Sequence, residues 1–137
     1  MTVFLDTSGL YAVFDRDDGN HSKAREAWVE WLRGGAVLLT NNYVLLETAA
    51  LLQHRIGLAA VRALHEEVTP LVAVDWITAE QHRAAMEAML AAGRKKLSLV
   101  DCVSFQTMRA RGVRTAFCFD AHFREQGFLS KPGSARV

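Results

Sequence analysis

Val3-Phe4-Leu5-Asp6-Thr7-Ser8-Gly9-Leu10-Tyr11 runs an apolar strand into an acid and then into the start of a helix. Val3, Phe4 and Leu5 are apolar without alternation, the pattern of a parallel strand covered on both faces. A carboxylate at the carboxyl end of such a strand faces the crevice where open α/β sheets bind ligands. Aspartate is also a common helix cap. Taken alone, Asp6 reads as a cap, and any further role depends on which residues join it.

Downstream, Leu10 to Phe14 continues a short helix, and Asp15 to Asn20 breaks it with turn-forming residues. Ser22 to Arg33 is amphipathic and ends at Gly34-Gly35, with Trp28 and Trp31 on its apolar side. Ala36 to Leu39 is a second buried strand, and Thr40-Asn41-Asn42 starts a long helix from Tyr43 to about His54. A further helix covers Leu58 to Val68, and Leu71 to Val74 is a third strand. Thr78-Ala79-Glu80-Gln81 has the capping-box form and opens a helix to about Ala92. After a basic loop, Ser98 opens a helix to about Arg111, Thr115 to Phe119 is a fourth strand, and Asp120 follows it directly. Ala121 to Gln126 is a short segment for which Asp120 would be the cap. The polar stretch 130–137 reads as a loosely ordered tail. Strands alternating with helices imply a parallel α/β sheet with helices on both faces, in one domain covering 1–137.

Half of the 137 residues are hydrophobic and the formal charge is +1, which suits a domain with a real core and no global attraction to polyanions. Any nucleic acid would be held by local basic patches or by metal ions. Cys102 and Cys118 fit neither a disulfide framework nor a zinc knuckle and read as small buried residues of a reducing compartment. Without a leader pattern or a bilayer-spanning run, the expectation is cytoplasmic, with no membrane role.

Two further acids stand in apolar company. Glu47 has Tyr43, Val44, Ala50 and Leu51 at helical spacing, and Asp101 has Leu97, Ser98, Ser104 and Phe105. Neither has a cation one turn away, although Asp101 also fits the third helical position after a Ser98 cap. Burying a lone carboxylate costs several kcal/mol unless it is paired or metal-bound. Asp6, Glu47, Asp101 and Asp120 could all reach one crevice of a parallel sheet, and a divalent cation is the usual remedy for their mutual repulsion. Oxygen ligands without His or Cys at ligand spacing select Mg²⁺ or Mn²⁺ over zinc. His21, His54, His65, His82 and His122 are scattered and read as surface or core residues. The chemistry such a cation supports is phosphodiester hydrolysis.

Asp6 to Ala12, Asn42-Tyr43-Val44-Leu45-Leu46-Glu47, Leu97 to Phe105 and Phe119-Asp120-Ala121-His122-Phe123 with Gly127-Phe128 resemble, in order, the signature blocks of PIN-domain ribonucleases. The similarity is greatest to VapC toxins of toxin–antitoxin pairs. It implies a PIN-like three-layer fold around a central parallel sheet of four or five strands, and a Mg²⁺- or Mn²⁺-dependent endonuclease for single-stranded RNA. A VapB-type antitoxin and a homodimer are implied as well. Carried over by position, Asp6 and Asp101 would be the principal metal ligands, Glu47 a further catalytic acid, Asp120 a fourth acting through water, and Ser8 a support for the first acid. Where the family often has Thr or Ser two residues before the fourth acid, this chain has Cys118. Arg94, Lys95 and Lys96 are the expected contacts to RNA backbone, with Arg109, Arg111 and Arg114 behind them.

The competing function is a phospho-receiver, since Asp75 ends the third strand as Asp6 ends the first. Receivers, however, pair acids after the first strand and place a lysine after a late one, and here Asp6 is alone and no lysine follows Phe119. An Asp-x-Asp phosphatase is disfavoured by Ser8. A PIN fold kept only for binding is disfavoured by the intact acids, while a PIN domain in RNA processing outside a toxin–antitoxin pair stays open.

Overall fold

The structure, a computed structural model, describes residues 1–133. Five strands form one parallel sheet in the order β3-β2-β1-β4-β5: β1 Thr2–Leu5, β2 Val37–Asn41, β3 Ala73–Asp75, β4 Thr115–Cys118 and β5 Leu129–Pro132. Seven helices accompany them: α1 Thr7–Phe14, α2 His21–Gly34, α3 Asn42–Arg55, α4 Leu58–Ala63, α5 Ala79–Ala92, α6 Leu99–Arg111 and α7 His122–Glu125.

Val3, Phe4 and Leu5 are all fully buried, so the central strand is covered on both faces, as its unbroken apolar run requires. Leu5 lies beside Phe117 in the β1–β4 register, and Trp31 of α2 meets the Phe117 ring edge-on at 5.0 Å. On the opposite face Phe4 packs with Phe123 of α7, which meets Phe105 of α6 at 5.0 Å. Between α1 and the sheet the approach is so close that a Cβ on Gly9 would sit 2.5 Å from the Phe117 carbonyl oxygen. Only glycine lets the helix after Asp6 lie directly on β4.

The chain leaves β1 for β2 and β3 on one side and returns to β4 and β5 on the other. The order therefore reverses between β1 and β4, and Asp6 and Asp120 follow the carboxyl ends of those two strands. This is the crevice where open α/β sheets place ligands.

Three local expectations change. The helix read over Leu58 to Val68 is α-helical only to Ala63 and then widens into π-type turns over Leu64–Val68 and a tight turn at Thr69–Leu71. Pro70 offers no N–H to a regular helix, and the Thr69 N–H and hydroxyl both turn back to the Leu64 carbonyl, the hydroxyl at 2.9 Å. Strand β3 begins at Ala73, because that tight turn takes up Leu71. Of the stretch 130–137 read as a loose tail, Ser130–Pro132 belong to β5, and 134–137 lie outside the described residues. An edge strand pairs on one side only, so it needs no apolar run and tolerates Pro132.

Candidate active site

Asp6 is 3% exposed and caps α1: its Oδ2 accepts the Ser8 N–H at 3.2 Å and the Ser8 hydroxyl at 2.7 Å. The Ser8 hydroxyl oxygen in turn accepts the Phe119 N–H at 3.0 Å, tying the end of β1 to the end of β4. Burial, followed by the charge of Asp120, pushes the Asp6 carboxyl up to about 7, against a lowering effect of Ser8 and with Asp101 adding to the rise. Asp6 thus both caps α1 and shares the charge of Asp120 and Asp101.

Asp101, 8% exposed, completes a capping box at the start of α6: Ser98 Oγ accepts its N–H at 3.0 Å and its Oδ2 accepts the Ser98 N–H at 3.2 Å. Asp120 is raised as well, by burial first and then by the charge of Asp101. Its Oδ1 accepts the His122 N–H at 3.0 Å, and a hydrogen bond with Asp6 lowers it in part. The sequence reading expected four acids to repel in one crevice, and here Asp6, Asp101 and Asp120 do so.

His122 corrects the sequence reading. Its Nδ1 lies 3.0 Å from Asp101 Oδ2, and Asp101, Asp120 and His122 each offer one ligand atom within 4.8 Å of the others. The imidazole faces the cluster because Phe123, the next residue, is locked between Phe4 and Phe105. In sequence the one hint was that His122 and the aromatic Phe123 follow the fourth acid within three residues.

Glu47 is half-buried on α3 and makes no hydrogen bond or ion pair among the described residues. Water therefore supplies part of the compensation that full burial would have demanded, and neither Glu47 nor Asp6 belongs to the group of ligand atoms within 4.8 Å of one another, Asp6 being tied to the cluster through its charge and its hydrogen bond with Asp120. The backbone around it is nevertheless held to the site. Thr48 Oγ1 donates to Thr7 Oγ1 at 3.3 Å, linking the residue after Glu47 to the residue after Asp6. Asn41 caps α3 by accepting the Val44 N–H at 2.9 Å and donates to Ser104 Oγ and Thr107 Oγ1 of α6 at 3.3 and 3.2 Å. This fully buried asparagine joins the helix of Glu47 to the helix of Asp101, a role its place at a helix start did not disclose.

Among the basic candidates, Arg94 pairs with Glu125 of α7 at 3.0 Å, which sets the basic loop beside the segment that follows Asp120. Lys95 and Lys96 are exposed on that loop. Arg109 is used structurally, bonded to the Gln126 side chain at 2.9 Å and stacked on Phe128, and Arg111 pairs with Asp75 at 3.4 Å. That ion pair occupies Asp75 at the edge of the sheet, separated by β2 from the strand that carries Asp6. Cys102 and Cys118 are buried free thiols, as expected; burial pushes the Cys118 thiol up to about 12, so it stays protonated beside Ser130.

The sequence matches the family described as PIN domain over residues 3–129. This protein belongs to the PIN-domain family. Among similar PIN proteins, it is 34% identical over 128 residues to the "23S rRNA-specific endonuclease VapC20" of Mycobacterium tuberculosis, in both the CDC 1551 and H37Rv strains, covering 93% of this chain and 95% of theirs. The crystal structure of M. tuberculosis VapC20, titled a sarcin-ricin loop cleaving toxin, superposes with a TM-score of 0.82 at 34% identity over 93% of this chain and 96% of that one. The PIN domain described here is therefore a VapC-type endoribonuclease fold with its acidic cluster present, and the receiver alternative is set aside.

Proposed function

We propose that this PIN protein is the toxin of a VapBC pair and cuts single-stranded RNA, with Mg²⁺ or Mn²⁺ held by Asp6, Asp101 and Asp120 and with Glu47 as a further acid of the site. The observation that carries the metal assignment is Asp6: an almost fully buried carboxylate, faced by two more, with no lysine or arginine ion-paired to any of the three among the described residues. The donor set fits a hard divalent ion, since three carboxylates at a strand-end crevice supply oxygen ligands of the right charge. Such an ion supplies a water activated at neutral pH and offsets charge on the phosphodiester in the transition state.

The chain's own part is positioning. Ser8, Ser98 and the His122 backbone each hold one oxygen of an acid, so the ligands are set before any ion or RNA arrives. Lys95 and Lys96 take backbone phosphate and read no bases. Glu47, half-buried and without a hydrogen-bond or ion-pair partner among the described residues, would on this reading accept a proton from the attacking water.

The relative named for 23S rRNA suggests that molecule, and its sarcin-ricin loop in particular, as the substrate to try here. Partners on this reading are a VapB-type antitoxin and a second copy of the chain, in the cytoplasm; no helix among the described residues is long and apolar enough to cross a membrane. Asp101→Asn should keep the fold and lose Mn²⁺-dependent cleavage of a 23S rRNA fragment by a factor of at least about 100. Cleavage by that variant at the wild-type rate, or by wild type in excess chelator, contradicts the proposal. Purification with a small DNA-binding partner encoded beside it would separate a toxin from an RNA-processing PIN domain.

A further inference from the structure

We propose that His122 is the positioning residue of the acidic site: its side chain fixes Asp101 and its backbone fixes Asp120, so that each acid offers one oxygen outward. This rests on the metal reading above and goes beyond the acids themselves.

Asp101 Oδ2 accepts two protein donors, the Ser98 N–H at 3.2 Å and His122 Nδ1 at 3.0 Å. The contact joins a carboxylate oxygen to a ring nitrogen that donates in one of the two imidazole tautomers, and that tautomer is the one the positioning role uses. Asp120 Oδ1 accepts the His122 N–H, and Asp6 Oδ2 accepts both donors of Ser8. Among the described residues no backbone, hydroxyl or imidazole donor reaches Oδ1 of Asp6, Oδ1 of Asp101 or Oδ2 of Asp120, while Asp6 and Asp120 share a side-chain hydrogen bond with each other. With Oδ2 of Asp101 and Oδ1 of Asp120 each held by protein donors, these two acids would meet a hard divalent cation through their other oxygens.

His122 is placed for this by packing and not by chance exposure. Its side chain is 21% exposed and its neighbour Phe123 is fully buried against Phe4 and against Phe105, one helical turn beyond Asp101. The aromatic contact docks α7 on α6, and the imidazole then meets the carboxylate. Hydrogen bonds that hold a ligand from behind are typically worth 10- to 100-fold in metal affinity.

The test is Mn²⁺ binding to the full chain, followed by electron paramagnetic resonance, in wild type, His122→Asn and His122→Leu, with circular dichroism confirming the fold. Asparagine keeps an N–H donor near the Nδ1 position, and leucine is of similar size without one. Asn should bind Mn²⁺ within about two-fold of wild type and Leu at least about ten-fold more weakly. If Leu fails to fold, His122→Phe, which keeps a ring without a donor, should show the same ten-fold loss. Unchanged affinity in Leu or Phe overturns the inference, as does equal weakening in Asn, which would make ring shape the cause. Nitrogen hyperfine coupling from the imidazole to Mn²⁺ also overturns it, because His122 would then be a ligand itself. A wild type that binds no Mn²⁺ fails differently, removing the metal assignment on which the inference rests.

Discussion

Asp6 carries opposing demands on one side chain. Its Oδ2 is well satisfied by Ser8, yet burial and the Asp120 charge lift its carboxyl from 3.8 to about 7. A carboxyl whose folded value lies above its unfolded one binds more protons when native, so metal-free stability is fullest below about pH 4 for this group and is lost as pH rises through about 7. Asp120, also raised, acts in the same direction. The metal-free melting temperature should therefore fall between pH 5 and pH 8, and Asp6→Asn should flatten that fall while abolishing cleavage. Mn²⁺ should restore wild-type stability at pH 8, since it binds the native state alone, and should do little for Asp6→Asn. Thermal unfolding across pH, with and without Mn²⁺, checks all of this; a wild-type curve as flat as that of the variant would show that Asp6 bears no such strain.

At the scale of elements, caps both end the helices and aim the acids. Ser98 starts α6 and holds Asp101; Asp6 starts α1. Asn41 starts α3 and bridges it to α6 through Ser104 and Thr107. Asn41→Ala removes a cap and leaves buried hydroxyls with fewer partners, so it should cost about 2 kcal/mol in denaturant unfolding. It should also lower cleavage in the folded fraction, because Glu47 and Asp101 lose their shared anchor. A stable variant with wild-type activity would assign the anchoring elsewhere.

Much of this element layer was legible, since Thr78-Gln81 and Ser98-Asp101 carry their caps in local sequence and both form as read. Most of what escaped was set by distant contacts, and one part by a nearby proline. Strand β5 needs only β4 beside it, the turns at Leu64–Val68 adjust to Pro70, and the link from Asn41 to α6 spans more than 60 residues. His122 escaped for the same reason, because a histidine reads as a site residue only when packing of Phe123 is known.

At the scale of the molecule, the strand order β3-β2-β1-β4-β5 explains why acids far apart in sequence meet. Asp6 and Asp120 end neighbouring strands at the reversal, and α6 brings Asp101 over them. Glu47 was read as a buried acid and is instead only half-buried, since periodicity shows which neighbours share a helix face but not how deeply that face is covered. Near-neutral net charge leaves RNA attraction to local groups, and Lys95 and Lys96 stand exposed beside α7, to which Arg94 is tied. Lys95→Ala with Lys96→Ala should weaken binding of single-stranded RNA across sequences and reduce the slope of log affinity against log salt by about 1 to 1.5. An unchanged slope would place the phosphate contacts on another surface.

The measurement closest to the central claim is anomalous scattering from a crystal of the full chain soaked in Mn²⁺. The acids of the strand-end crevice should share one Mn²⁺ peak between Asp6, Asp101 and Asp120, and the peak should vanish in Asp6→Asn. A Mn²⁺ peak elsewhere, in a protein whose RNA cleavage still requires Mn²⁺, would contradict the account.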